Sequence, residues 1–392
     1  MCKMEGIRNM NTVKQIRVGD VCQSISDTYR ANAKKVVLIN TSDVLEGEIL
    51  NHTEVPNEGL KGQFKKTFKK DDILYSEIRP QNKRFAFVEI EPHNYIASTK
   101  LMVLRSDKTI VLPKYLYYYL KSEQVINELQ ALAETRSGTF PQITFTELSQ
   151  LKILLPSLSI QKKIVSILES VENKISLNNK INNNLEQQAK TLYNQMFLSS
   201  TSDNWIKGVL SDIADITMGQ SPSGDSYNEV GIGTVFFQGR AEFGYRFPTK
   251  RLYTTEPKRM AQKNDILMSV RAPVGDMNVA LEDCCIGRGL ASIRSKDNHQ
   301  SFILYTMFTL QTELDKFNGE GTVFGSINRD SLNKLPLIIP SNDAISQFES
   351  IVVPMDAQIC ANHEENLRLK SIRDTLLPKL MSGEIDLSGI DI

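Results

Sequence analysis

Apolar side chains recur with a helical period in two long blocks, residues 159–198 and 343–382. Every seventh position is apolar except for one asparagine per block: Ile164, Val171, Asn178, Leu185, Leu192, and Phe348, Met355, Asn362, Leu369, Leu376. Apolar heptads interrupted by one core Asn are typical of a coiled coil, because the Asn fixes register and partner. We therefore predict two helices of ~38 residues, roughly 57 Å long each, with Asn178, Leu185, Asn362 and Leu369 as the helix-pairing residues.

The direction of pairing follows from where the asparagines lie. Each is near the middle of its helix, so an antiparallel pair brings Asn178 and Asn362 to nearly the same level. The alternative is that each helix packs separately on its own domain. Pro354 interrupts the second block, and a proline inside a helix predicts a kink or the start of a new helix.

Short apolar runs bounded by charged or turn residues precede each block and predict β-strands. In the first module the predicted strands are Val36–Ile39, Phe85–Ile90, Leu101–Leu104 and Leu151–Leu155. Residues 113–132 predict a helix with Pro113 in its first turn. Residues 204–340 repeat this order, which indicates an α+β chain with two similar mixed α/β domains.

Fixed offsets relate the two modules. Residues 143–198 align on 327–382 with a shift of 184, whereas Asp72 to Leu74 align on Asp265 to Leu267 with a shift of 193. The second module is therefore nine residues shorter in its interior, as expected for one scaffold that carries two different surfaces. The predicted division is a tail at 1–12, domains at 13–157 and 204–340, a central long helix at 158–203, and a C-terminal helix and tail at 341–392.

Composition narrows the class of protein. The 392 residues contain 46 basic and 46 acidic side chains, so any nucleic-acid surface must be local, and partners are expected to share the task. No apolar run has the ~18 residues of a membrane span, and no signal peptide is recognisable, which predicts a cytoplasmic protein. The five scattered cysteines predict neither a disulfide framework nor a zinc site. Cys284-Cys285 is either a redox pair or two buried residues of a strand.

Catalytic motifs are absent from the sequence. It has no phosphate-binding GxxxxGK[ST] loop, and the glycine pairs at 231–233 and 287–289 lack the third glycine of a dinucleotide fingerprint. No methyltransferase cofactor loop and no nuclease-type arrangement of carboxylates is visible. We therefore expect a non-catalytic chain without its own cofactor or metal ion.

Basic and amide side chains cluster in loops of both modules and suit contact with DNA. Lysines suit phosphates, whereas Arg pairs with guanine and Gln or Asn with adenine. The alternatives are a solvated lysine-rich edge around residue 65 and structural turns at Gly138-Thr139 and Gly321-Thr322. The predicted DNA-binding residues are Lys65, Lys66, Arg79, Lys83, Arg84, Arg136, Thr139, Gln142, Gln238, Arg240, Arg271, Arg288, Thr322 and Ser326, with Arg271 taken as the counterpart of Arg79.

The order of these motifs, twice over, resembles that of the specificity subunits of type I restriction–modification systems. The segments that carry the resemblance are DDILYSEIR and NDILMSVRAPVG, SGTFPQI and EGTVFGSI, LKILLPSLSIQKKIVSILESVENKI and LPLIIPSNDAISQFESIVVPMDAQI, and the final TLLPKLMSGEI. No single motif is specific, but together they cover the chain after about residue 12.

The resemblance implies two target-recognition domains separated by two long helices that form an antiparallel coiled coil. Each domain would read one half of a bipartite site in double-stranded DNA, and the helices would space the domains and dock two methyltransferase subunits. Those partners would carry S-adenosylmethionine and methylate adenine, and motor–nuclease subunits would join in the restriction complex.

Two other functions remain open at this stage. The chain could serve a different methyltransferase–nuclease architecture, or be a duplicated coiled-coil adaptor whose domains bind proteins. Sequence-dependent retention of duplex DNA distinguishes DNA reading from protein binding. An enzyme in its own right would bind a cofactor as the isolated chain.

Overall fold

The computed structural model describes residues 14–59, 62–136, 140–199, 205–319 and 325–389. These form two compact units, one drawn from residues 1–176 and 366–392 and the other from residues 177–365. Each unit contains one mixed domain, part of the first long helix and part of the second.

Among the described residues, twelve strands and three α-helices build the domain of the first unit. The strands are β1 (Lys14–Arg17), β2 (Cys22–Ile25), β3 (Lys35–Ile39), β4 (Val44–Leu45), β5 (Glu48–Ile49), β6 (Glu54–Pro56), β7 (Phe64–Lys66), β8 (Ile73–Ser76), β9 (Phe85–Phe87), β10 (Tyr95–Ser98), β11 (Leu101–Ser106) and β12 (Lys152–Leu155). The helices are α1 (Pro113–Leu120), α2 (Glu123–Arg136) and α3 (Phe145–Gln150), and the long helix α4 (Leu158–Tyr193) follows.

Two four-stranded sheets form the centre of this domain. One has the order β2-β11-β8-β9 and is antiparallel, and the other has the order β6-β3-β10-β7 with β3 and β10 parallel. Alternate residues of β8 face two different cores: Ile73 and Tyr75 lie in the helix-side core, and Leu74 lies in the core shared with the second sheet. The strand is therefore buried on both faces.

The domain of the second unit repeats this plan. Its strands are β13 (Ile206–Val209), β14 (Ala214–Met218), β15 (Tyr227–Asn228), β16 (Thr234–Phe237), β17 (Leu252–Thr254), β18 (Met260–Ala261), β19 (Ile266–Ser269), β20 (Met277–Val279), β21 (Cys284–Ile286), β22 (Leu290–Ser295) and β23 (Pro336–Ile339). Its helices are α5 (Leu210–Ile213), α6 (Gln300–Thr309), α7 (Gln311–Asp315) and α8 (Arg329–Asn333), before the long helix α9 (Asn342–Met381). The sheets have the orders β14-β22-β19-β20 and β15-β17-β16-β21-β18.

Strand register and helix caps confirm the internal repeat. Lys14 pairs with Leu155 in the first domain, and their counterparts Ile206 and Ile339 pair in the second. Thr144 caps α3 with a capping box completed by Glu147, and its counterpart Asn328 caps α8 by accepting from the backbone N–H of Ser331 at 2.8 Å.

The second long helix is continuous through Pro354, so the expectation of a new helix at that residue is wrong. Proline removes one helical N–H, which leaves the carbonyl of Ser350 without its usual donor. Both residues are exposed, so water can replace that donor, while buried Phe348, Val352 and Ile359 hold the opposite face of the helix.

The predicted helix over 113–132 is two helices, α1 and α2. Its start at Pro113 is confirmed, but Ser122 interrupts it. The Ser122 hydroxyl donates to the carbonyl of Tyr119 at 2.8 Å and accepts from the N–H of Val125 at 3.4 Å, so it ends one helix and caps the next. The four predicted strands of the first domain correspond to β3, β9, β11 and β12.

Cys284 and Cys285 are buried residues of β21, as the simpler of the two interpretations predicts. Both are free thiols, and burial raises the pKa of Cys284 to about 12, which disfavours the reactive thiolate. Across the described ranges, no helix combines the length and apolar character needed to cross a membrane.

A buried acid stabilises each domain at equivalent positions. Asp72 accepts from Arg105 at 2.8 and 2.7 Å and from the N–H of Lys69 at 2.7 Å. Its counterpart Asp265 accepts from Arg294 at 2.7 Å and from the N–H of Gln262 at 2.9 Å. Each carboxylate thus holds one strand of the central sheet, β11 or β22, to the loop that precedes the neighbouring strand, β8 or β19.

We predict that Asp72→Asn and Asp265→Asn each destabilise their own domain by about 1.5–3 kcal/mol, because each replaces the buried carboxylate that Arg105 or Arg294 contacts with a neutral amide. Hydrogen exchange of the two central sheets measures the effect separately for each domain. Asp71→Asn is the control, since Asp71 pairs with the exposed Lys108 and asparagine tolerates its left-handed φ of 71°. Equal protection in all variants would show that these pairs do not stabilise the domains.

Candidate nucleic-acid interface and helix pair

Exposed polar side chains of the second domain gather where β14, β16, β19 and β21 end. The N–H of Gly289 donates to the carbonyl of Gln238 at 3.2 Å, and the N–H of Val270 donates to the carbonyl of Gly289 at 2.9 Å. Gln238, Arg271 and Arg288 are exposed at this junction. The structure therefore brings together three residues that are far apart in sequence.

Two further predicted residues adjoin this junction. Ser326 forms a β-bridge with Arg271. Arg240 is exposed, and its guanidinium lies 2.6 Å from Asp276, so part of its charge is neutralised within the protein. Together with the three residues above, they form a surface of amide, hydroxyl and guanidinium groups.

The first domain presents a strained turn at the corresponding place. Arg79 and Lys83 have left-handed φ angles of 44° and 52°, which are uncommon for residues with a Cβ, and they flank a 3₁₀ turn at Pro80–Asn82. The turn is held to α2 because the buried Gln130 accepts the N–H of Gln81 at 3.2 Å. Arg79, Gln81 and Asn82 are exposed on it.

Three predicted basic residues of the first domain make internal contacts. Lys66 donates to the carbonyls of Thr99 at 3.0 Å and Leu101 at 2.8 Å, and burial lowers the pKa of its ammonium. Arg84 donates to the carbonyl of Ser42 at 2.9 Å. Lys83 forms an ion pair with Glu123. Their role in DNA contact stays a prediction, whereas Lys65 is exposed on β7.

Gln142 lies beside an acid in the first domain. Its amide donates to Glu77 at 2.8 Å, and Lys100 lies 3.5 Å from the same carboxylate. The side chain of Arg136, and Thr139 and Thr322, lie outside the described residues, so their predicted contacts stay predictions.

The structural counterpart of Arg271 is Ile78, and the expected match with Arg79 is wrong. Ile78 bridges Gln142 just as Arg271 bridges Ser326. The N–H of the next residue, Arg79, donates to the carbonyl of Pro141 at 3.1 Å. In the second domain the N–H of Ala272 donates to the carbonyl of Gly325, also at 3.1 Å. The two domains therefore place their arginines at adjacent positions of the same turn.

The long helices pair antiparallel through buried asparagines. Asn362 donates to the side chain of Asn182 at 2.8 Å, and Asn178 donates to Glu365 at 2.7 Å. Asn178, Asn182 and Asn362 are 0%, 5% and 6% exposed. Asn362 thus contacts the residue one turn beyond Asn178, and Leu185 and Leu369 are half-buried.

The seam of α4 changes after Asn182. Buried positions continue at Glu186, Ala189 and Tyr193, so the strict seven-residue series through Leu185 is not kept. Ala189 and Tyr193 pack in the core of the second domain. The end of α4 is therefore shared between helix pairing and domain packing, a role that a heptad pattern does not reveal.

Arg246 joins the second domain to both long helices, and sequence analysis missed it. Its 5% exposed guanidinium lies 2.6 Å from Asp356 of α9 and 3.4 Å from Glu186 of α4. Asp356 also accepts from the hydroxyls of Ser301 at 2.7 Å and Tyr305 at 3.0 Å. The carboxylates balance the cost of burying the guanidinium charge.

The first unit has a related attachment. Glu172, the repeat counterpart of Asp356, accepts from the hydroxyl of Tyr118 at 2.8 Å and pairs with Lys121. Arg373 of α9 lies 4.0 Å from Glu172. The tyrosine and the acid recur in both repeats and give a sequence signal for this attachment, but the positions of the basic partners do not repeat.

A second acid of α9, Glu349, has a raised pKa because it is buried. Glu349 is buried and accepts from the N–H of Phe302 at 2.6 Å. Burial raises the pKa of this carboxyl to about 7, and the nearby Asp356 adds to the rise. The folded state therefore retains a proton that the unfolded chain releases near pH 4.5.

We predict that Asn362→Leu destabilises the second unit by about 1–3 kcal/mol, because it leaves the buried side-chain amide oxygen of Asn182 without the donor that Asn362 provides. The double variant Asn182→Leu/Asn362→Leu should lose less than the sum of the single variants, and urea denaturation of all three gives the coupling. Asn183→Leu, at an exposed neighbouring position, is the control. Additive losses would show that the two amides do not interact.

The stability of the second unit should fall between about pH 4.5 and 7, because the unfolded chain then binds fewer protons than the folded one. Glu349→Gln should remove this dependence and raise the free energy of unfolding at pH 8 by about 1–3 kcal/mol. Urea denaturation across this pH range measures it, with the exposed Glu364→Gln as control. The same pH dependence in Glu349→Gln and the parent would contradict this assignment.

Known proteins share this organisation. The family model described as the type I restriction modification DNA specificity domain matches residues 10–187 and 202–369. The HindI type I restriction enzyme specificity subunit of Haemophilus influenzae is 30% identical, over 96% of this chain and 100% of its own. A chain of Methanocaldococcus jannaschii, provisionally described as the MjaX specificity subunit, is 31% identical over 80% of this chain and 78% of its own.

A solved structure shares the fold. The crystal structure of the S subunit of a type I restriction–modification system from M. genitalium superposes with a TM-score of 0.59. The superposition covers 97% of this chain and 99% of that one, at 16% sequence identity.

Proposed function

We propose that this chain, which belongs to the type I restriction–modification DNA specificity family, selects a two-part DNA site for a partner methyltransferase. Members of this family recognise DNA as non-catalytic subunits, and this chain carries two specificity domains. The chain is therefore the DNA-reading scaffold of a larger complex.

One observation carries the proposal: a repeated scaffold presents different side chains at the same edge. The bridges Ile78–Gln142 and Arg271–Ser326 occupy the same place in the two domains. Around the first, Arg79, Gln81 and Asn82 are exposed. Different donor and acceptor patterns on equivalent edges favour two different half-sites, because base edges are distinguished by hydrogen-bond pattern.

The predicted DNA-binding residues divide into three groups on this proposal. Exposed amide and guanidinium groups at the edges, such as Arg79 and Arg271, read bases, whereas the exposed Lys65 contacts a phosphate. Lys66, Lys83 and Arg84 hold the domain edge in shape through the internal contacts described above.

The long helices supply spacing and docking on this proposal. Buried asparagines fix the register of α4 against α9, so the helix pair can set the length of the unread gap between half-sites. Leu177 and Leu367 on the outer faces of these helices are 51% and 50% exposed. Such apolar side chains suit docking of methyltransferase subunits, which carry S-adenosylmethionine, with motor–nuclease subunits joining for restriction.

Expression in a methylation-free host tests the function. We predict methyl-adenine at a two-part motif when this chain is produced with the methyltransferase encoded beside its gene, and none when this chain is omitted. Methylation-sensitive sequencing of the host DNA reads the motif. A stable complex that leaves the DNA unmethylated, although the methyltransferase binds S-adenosylmethionine, would contradict the proposal.

A further inference from the structure

We propose that Gln220, Gln238 and Arg288 form one base-reading constellation in the second domain, with the glutamines directed at adenine and the arginine at guanine. This inference rests on the proposed function. Gln220 lies just after β14, and neither its sequence neighbours nor the repeat marks it as functional. The structure places it with the other two residues.

Backbone hydrogen bonds hold the three residues together. The N–H of Gln220 donates to the carbonyl of Ile286 at 2.9 Å, and the N–H of Gly287 donates to the carbonyl of Phe237 at 2.8 Å. The N–H of Arg288 donates to the hydroxyl of Ser221 at 3.3 Å. The chain segments that follow β14, β16 and β21 are thus hydrogen-bonded to one another at, or one residue before, each of the three proposed base-reading residues.

Glycines allow this close approach. A Cβ on Gly219 would lie 2.1 Å from the carbonyl oxygen of Gly287, and a Cβ on Gly287 would lie 2.9 Å from the Cα of Gln238. Both distances are shorter than a side chain tolerates, so the crossing exists only with glycine at these positions. Such packing fixes the backbone beneath the exposed side chains.

The side chains that leave this crossing have the chemistry of base recognition. Gln220, Gln238 and Arg288 are all exposed, although they stand on a rigid, closely packed backbone. Arg matches the O6 and N7 acceptors of guanine, and Gln matches the N6 and N7 groups of adenine. Rigid placement favours reading, because less side-chain and loop ordering is needed on binding.

The first domain arranges the equivalent chain segments differently. Ala97 pairs with Ile39 as Ile286 pairs with Phe237, so Asn40 and Thr99 stand where the second domain has Gln238 and Arg288. The chain after β2 meets β7 instead of β10, the counterpart of β21: Thr28 forms a β-bridge with Lys66. The glutamine–arginine combination is therefore particular to the second domain. This difference predicts that the constellation affects one half-site only.

The test uses the full chain in its methyltransferase complex, with Gln220→Ala, Gln238→Ala and Arg288→Gln made singly. Each variant should lose roughly tenfold to a hundredfold discrimination at one base pair. The other half-site and the gap should keep their sequence. Methylation-sensitive sequencing gives the motif, and fluorescence anisotropy with duplexes that differ at single positions gives the discrimination. Lys207→Gln, on β13, controls for the loss of an exposed charge.

Each outcome decides between specific alternatives. A relaxed position in one half-site supports base reading by that residue. Equal weakening on all sequences would mean a phosphate contact, and an unchanged motif in all three variants would overturn the constellation. Absence of any motif with the parent chain would be a failure of the proposed function instead, so the two failures are distinguishable.

Discussion

The pairing of two long helices through buried polar side chains is the constraint on which the rest of the molecule depends. A buried amide is tolerable only when its hydrogen bonds are made, so the contact between Asn182 and Asn362 is satisfied in one register. In the second unit, Arg246 then joins the domain to both helices through Glu186 and Asp356. The register of the helices and the attachment of the second domain are consequently both set by buried polar contacts.

The repeat, the long helices and many of the strands were predictable, because they leave periodic signals. Apolar positions mark the faces of α4 and α9, and equivalent residues recur at fixed offsets. Two local features escaped prediction: Ser122 divides a helix through its own hydrogen bonds, and α9 continues through Pro354 because that residue is exposed. In both cases the outcome is decided by individual hydrogen bonds and burial, which a periodic pattern does not contain.

For the candidate site, the sequence predicted the types of side chain that suit contact with DNA, but not which of them lie together. Residue type identified Gln238 and Arg288 as suitable for contact with bases, but nothing in the sequence joined them to Gln220. That proximity comes from three chain segments that cross at glycines. Similarly, the internal contacts of Lys66 and Arg84 depend on distant backbone carbonyls, so a lysine or arginine on a loop is not by itself a phosphate contact.

The most direct test of the central claim is to lengthen both helices together, by one heptad in α4 and one in α9 at the paired level, and to sequence the methylated motif. Seven residues add about 10.5 Å, which is close to three base pairs of DNA. A register-fixed pair predicts a longer gap between half-sites whose bases are unchanged. An unchanged gap, with the complex still active, would contradict the account.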